Sequence, residues 1–164
     1  MQPTYYKIGT NVGRYWKEIV SLISDAVIIY DEHGEIHFAN QSALLSLRYK
    51  SSSGLPIDSL DDLMERFMVA DENGAVVTRE EMPCRRAFRS ESAKQAQLRF
   101  TDQSGRHDYW LAVKAVPIFD SRRLVRFIVV IFQDITVFKT TEANLKDANR
   151  RMMGMLEGFL ETKH

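Results

Sequence analysis

VRFIVVIFQDITVFKTTEANL, residues 125–145, changes character at its middle. From Val125 to Phe132 nearly every side chain is apolar and many are β-branched, the composition of a central strand covered on both faces. Beyond Ile135 the apolar residues recur at intervals of three and four, as on a helix with one apolar stripe. A strand therefore feeds a helix through only Asp134, Ile135 and Thr136. The stripe continues as Phe138, Leu145, Ala148, Met152, Met155 and Phe159, with Thr141 in the remaining seam position, about three heptads in all. Such a seam calls for a partner helix, and the simplest partner is a second copy of the chain. The alternative is a helix that folds back on its own sheet. Gly154 and Gly158 weaken the far end by about 1 kcal/mol each.

Upstream of this stretch, Ala96, Leu98 and Phe100 alternate with Gln95, Gln97 and Arg99, which reads as a strand with one wet face. The turn TDQSGR and a second strand, YWLAVKAVPIF, follow. Nearer the N-terminus, Trp16, Ile19, Val20 and Ile23 have helical spacing, and AVIIYD with EIHFA forms a hairpin about a turn in which Gly34 takes positive φ. Asn40 then caps a short helix over QSALLSL. Residues 57–68 mix apolar and acidic positions at helical spacing and predict a second helix. Thr78 with Glu81 has capping-box spacing, and Pro83 lies in the first turn of another helix.

DEHG at 31–34 and DENG at 71–74 look like a repeat. The first leads to a strand and the second to a helix, so shared turn chemistry explains them better than duplication. Two strands before a block of short helices and three after it give an α+β class with a five-stranded antiparallel sheet. The chain divides into a helical cap (1–24), a sheet domain (25–136) and a linker helix (137–164).

A chain of 164 residues with 45% hydrophobic content buries roughly 70% of its unfolded surface as one core. Charges balance at 22 against 22, so no field of one sign draws it to nucleic acid, and the cluster Arg122, Arg123 and Arg126 reads as a solvated loop. No apolar run approaches the roughly 20 residues that span a bilayer, and no signal peptide is evident, so a cytoplasmic location is expected. One cysteine, Cys84, rules out an internal disulfide and fits a reducing compartment.

Chemistry is sparse. His33 and His37 are separated by a turn, His107 lies elsewhere, and no metal site is expected. Cys84, beside Arg85 and Arg86, reads as a small core side chain rather than an activated thiolate. No phosphate-binding glycine loop, nucleophile elbow or zinc-helix motif is present. A small-molecule enzyme using His37, Cys84 and His107 remains the reading from another functional class.

The order helix, two strands, short helices, three strands and exit helix resembles the PAS sensor family. Three stretches carry the resemblance: SDAVIIYDEHGEIHFANQSALLSL, GAVVTREEMPCRRAFRSE, and VVIFQDITVFKTTEANL with its Asp134, Ile135 and Thr136 junction. The likeness covers roughly residues 12–150. Arg123 stands in the last hairpin turn where that family often has glycine. The resemblance implies a PAS-like sheet curled over short helices, with a cup lined by Phe38, Met64, Phe67, Met68, Phe88, Leu98, Leu111 and Val129. That cup either holds a small apolar ligand or is filled by its own side chains. Haem is disfavoured because residues 84–91 offer no histidine, and a flavin adduct is disfavoured because PCRR lacks the preceding asparagine and comes too late. The expected role is a non-enzymatic regulatory sensor and dimerisation module, feeding an output domain such as a kinase, cyclase or transcription regulator. Trp16 and Ile19 add to the dimer seam. The alternative is a protein-interaction scaffold without ligand.

Overall fold

The computed structural model of the chain describes residues 15–46, 64–91, 95–105 and 108–161. Helix α1, Trp16–Ser21, is followed by β1, Ala26–Asp31, β2, Ile36–Ala39, and α2, Gln41–Ser46. After β3, Phe67–Ala70, a 3-10 turn at Arg79–Glu81 leads into α3, Pro83–Phe88. Strands β4, Ala96–Asp102, β5, Asp108–Phe119, and β6, Val125–Asp134, are followed by α4, Thr136–Glu161. All strand pairings are antiparallel, in the order β2-β1-β6-β5-β4-β3. The last strand lies inside the sheet, between β1 and β5, as its unbroken apolar run requires.

The sheet has six strands rather than five. Residues 67–70 belong to a strand, not to the end of a helix: Phe67 pairs with Asp102 and Val69 with Phe100 of β4. Phe67 and Val69 turn to the core while Met68, 58% exposed, points away. The rest of the helix expected over 57–68 lies outside the described residues, apart from a helical turn at 64–66.

The core is one face of this sheet covered by α2 and α3. Ile28, Leu98, Leu111 and Ile128 project to it from four strands, and Ala43 and Ala87, both 0% exposed, let the two helices approach closely. Pro83 starts α3, where its missing N–H costs nothing. Thr78 and Glu81 do pair: the Glu81 carboxylate accepts from the Thr78 N–H at 2.8 Å and its hydroxyl at 2.7 Å. Those two bonds hold the Glu81 carboxyl below its ordinary range. They cap the 3-10 turn, and α3 begins separately behind it.

One turn design recurs three times. Asp31, Asp71 and Asp120 each accept two backbone N–H bonds on Oδ1, from the residues two and four places on, at 2.8–3.1 Å. Each also accepts a backbone bond from the residue three on, which is Gly34, Gly74 or Arg123. That fourth position needs positive φ, and Arg123 adopts 63° where the other two are glycine. The repeated look of 31–34 and 71–74 is therefore turn chemistry.

Asn40 holds the N-terminal elements together. Only 1% exposed, it accepts from the amides of Val27 at 3.0 Å and Ala43 at 2.9 Å, and donates to the carbonyls of Asp25 at 2.9 Å and of Val20 and Ile23, both at 3.3 Å. The cap read from sequence is present, and the same side chain also binds the end of α1 and the start of β1.

Candidate functional site

Asp134, Ile135 and Thr136 form a junction tied to β5. The Ile135 amide donates to the Trp110 carbonyl at 2.9 Å, and the Trp110 amide donates to the Thr136 hydroxyl at 2.9 Å. The Asp134 carboxylate accepts from the Thr136 amide at 2.9 Å, which satisfies one of the open donors of α4. The first turn of the helix is thus an extension of the ladder between β5 and β6. Beyond it the helix leaves the sheet domain. At 26 residues it is about 39 Å long. Its seam residues Phe138, Leu145, Met152 and Met155 are each more than half exposed. The side chain of Phe159 lies outside the described residues.

The cup residues named from sequence separate into two sets. Leu98 and Leu111 are buried in the core, and Met64, Phe67 and Phe88 pack against it. Phe38, Met68 and Val129 are not in the cup. A bulge between Ile29 and Tyr30 shifts the pairing from Phe38 to Ile36, so Ile36 turns inward and Phe38 meets Trp16 on the opposite face at 5.2 Å between rings. Val129 alternates with the buried Ile128 and Val130 and faces the same way as Phe38. Met68 is the outward residue of a strand expected to be helical. Inside the cup, Phe67, Phe100 and Tyr109 form a ring cluster, with Phe100 and Tyr109 stacked at 5.7 Å.

The outer face carries a groove of about 350 Å³ lined by Trp16, Ile29, His37, Ile118, Phe127 and Val129. His37 lies 5.5 Å from the Phe127 ring there. Cys84, 3% exposed, belongs to the core cluster on the other side of the sheet. Burial, and after it the electrostatic effect of the neighbouring Cys84, push the Tyr30 phenol well above its ordinary value. His37 and Cys84 do not converge, and His107 lies outside the described residues. Among the described residues no group of three His, Cys, Asp or Glu side chains is placed to hold a metal ion. Among them, too, no helix is long and apolar enough to cross a membrane.

Sequence reasoning did not single out Trp110, whose main chain anchors the junction and whose ring sits under α4. A lone tryptophan in an alternating strand gives no sign of such a role. Ion pairing flanks it: Arg99 clamps Asp108 through Nε at 2.8 and 2.9 Å and through a further contact from its terminal nitrogen. The Arg99 hydrogen bonds hold the Asp108 carboxyl below its ordinary range.

A family model described as the PAS fold matches residues 20–140. No curated protein sequence matches the chain. An RNA-binding light-oxygen-voltage receptor superposes with a TM-score of 0.58 at 19% identity, over 92% of this chain and 41% of the receptor. The chain therefore spans less than half of that receptor's length. The PAS domain of a Colwellia psychrerythraea protein gives 0.55 at 18% identity, covering 76% of this chain and 98% of that one. The PAS domain of the fruit-fly ELK potassium channel gives 0.51 at 13% identity, covering 80% and 99%.

Proposed function

The chain belongs to the PAS fold family, and on that premise we propose that it is a regulatory sensor and dimerisation module that passes a conformational state from its sheet into α4 and on to an output domain. The junction carries this reading. Thr136 is at once the first residue of α4 and the acceptor for the Trp110 amide, so a shift of β5 against β6 moves the helix origin with it. A ligand or partner changes the output only by binding the two arrangements unequally. The exposed seam of Phe138, Leu145, Met152 and Met155 supplies the surface for a second copy, with the exposed Ile19 and the half-buried Trp16, which packs on Phe38, adding to it. The output is a kinase, cyclase or transcription regulator, and the module itself performs no reaction. Its cofactor is open: residues 84–91 offer no histidine for haem and PCRR lacks the asparagine of the flavin-adduct run, which disfavours both groups, and its single cysteine fits a cytoplasmic setting.

The ring cluster of Phe67, Phe100 and Tyr109 favours a second reading, a scaffold that signals through partners with no ligand in the cup. Native mass spectrometry with an absorption spectrum of freshly purified protein separates the two. A retained small molecule supports the sensor, and an empty dimer supports the scaffold. For the seam, sedimentation at about 20 μM is expected to show a dimer that falls apart in Leu145→Asp/Met152→Asp. A monomeric parent protein would sink the dimer reading. For the junction, α4 is fused in register to a helix-fed kinase, and Thr136→Val should change the basal activity. An unaltered activity rejects transmission through Thr136.

A further inference from the structure

Lys139 stands apart from the rest of α4. Its side chain is 15% exposed, whereas Val137 and Phe138 beside it are 81% and 62% exposed. The ammonium group lies 5.1 Å from the centre of the Trp110 ring and 2.8 Å from Glu72 Oε1, with Glu142 Oε2 at 3.8 Å. Glu72 is the second residue of the Asp71 turn that ends β3, the edge strand farthest from β6 in this half of the sheet. The equivalent residue of the Asp31 turn, Glu32, also reaches out of its turn, to Arg126 of β6. From this geometry we infer that Lys139 is a latch, seated on Trp110 and locked by Glu72, that fixes the direction in which α4 leaves the domain.

The latch deepens the signalling reading given above and rests on it only for its purpose, since the exit geometry is measurable in this chain alone. The junction hydrogen bonds fix where the helix begins. They leave its direction open, because a single turn pivots about Thr136. Lys139, one turn on, supplies a second point of attachment, and a helix held at two points has a defined axis. The two points come from different parts of the sheet: Trp110 lies on β5, and Glu72 belongs to the turn leaving β3, whose other end adjoins the cup wall at Met64 and Phe67. A displacement of β3 therefore reaches α4 without passing through β6. A low-exposure ammonium over an aromatic face is held more firmly than an exposed pair, whereas Glu72, 55% exposed, is the member free to let go.

The test measures two properties of the full chain. Hydrogen exchange reports the amides of 139–142, and a spin-label distance between Lys114→Cys on β5 and Asn149→Cys on α4, diluted with unlabelled protein, reports the exit direction. Glu72→Gln is expected to raise exchange at 139–142 by about two- to fivefold and Lys139→Met by about five- to tenfold, each broadening the distance distribution. The double variant should go no further than Lys139→Met alone. Lys139→Arg, which keeps the charge and stacks on the ring, should preserve both properties. Unchanged exchange and distance in Glu72→Gln would overturn the latch while leaving the seam and its sedimentation test untouched. Additive effects in the double variant would overturn it equally.

Discussion

Asn40 offers the sharpest test of how this fold is held. Replacing it with alanine removes an acceptor shared by two buried amides and a donor shared by three carbonyls. Loss of the cap on α2 costs about 1 kcal/mol. The Val27 amide, in a residue 4% exposed, loses its side-chain acceptor, worth about 1–2 kcal/mol. The Asp25 carbonyl loses its 2.9 Å donor for about another 1 kcal/mol, while the two 3.3 Å contacts add little. The sum is about 3–4 kcal/mol, a large part of the roughly 5–15 kcal/mol that holds a typical domain. Asn40→Ser keeps a capping oxygen and should recover about 1 kcal/mol of the loss. Urea unfolding followed by circular dichroism measures both variants. Trp16 fluorescence adds a local readout, because Asn40 also holds the carbonyls at the end of α1. A loss below about 1 kcal/mol for the alanine variant would refute the assignment of Asn40 as the tie between α1, β1 and α2.

Three further outcomes follow from features already described. Arg123→Gly should stabilise the protein by about 0.5–1 kcal/mol in the same urea assay, since the left-handed backbone at φ 63° is relieved and only part of the gain is lost to a freer unfolded chain. Asp108→Asn should flatten the acid limb of the stability curve: the folded carboxyl titrates below its unfolded value, so its contribution is present above about pH 4 and fades as pH falls through the folded value. Gly154→Ala, at a position with open space around it, should raise helicity and favour α4 by about 1 kcal/mol, seen as a higher melting temperature for the helix by circular dichroism.

The sequence was most legible where one period dominated. Ala96, Leu98 and Phe100 alternate with polar residues, and the strand is where the alternation puts it. The junction at 134–136 was legible because a β-branched run gives way abruptly to helical spacing. Residues 67–70 were not: Phe-Met-Val-Ala is too short to show either period, and its extended form comes from the pairing with β4, a contact distant in sequence. Phe38 was placed on the wrong face because the bulge at Ile29 resets the alternation by one residue, which nothing in IHFA announces. Val129 sits in a strand apolar on both faces, so its direction cannot be read from its neighbours. Lys139 and Glu72 were ordinary surface residues in sequence, and only the path of α4 over β5 brings them together.

The two rims of the sheet are its shortest strands, four residues each, and the rim at β3 is already engaged by its own chain through the Val77 amide on the Val69 carbonyl at 2.9 Å and the bridge between Ala70 and Val76. Stubby, partly sealed rims give a visiting β-ribbon little to zip onto. Growth by edge-to-edge pairing of sheets from one copy to the next is thereby discouraged.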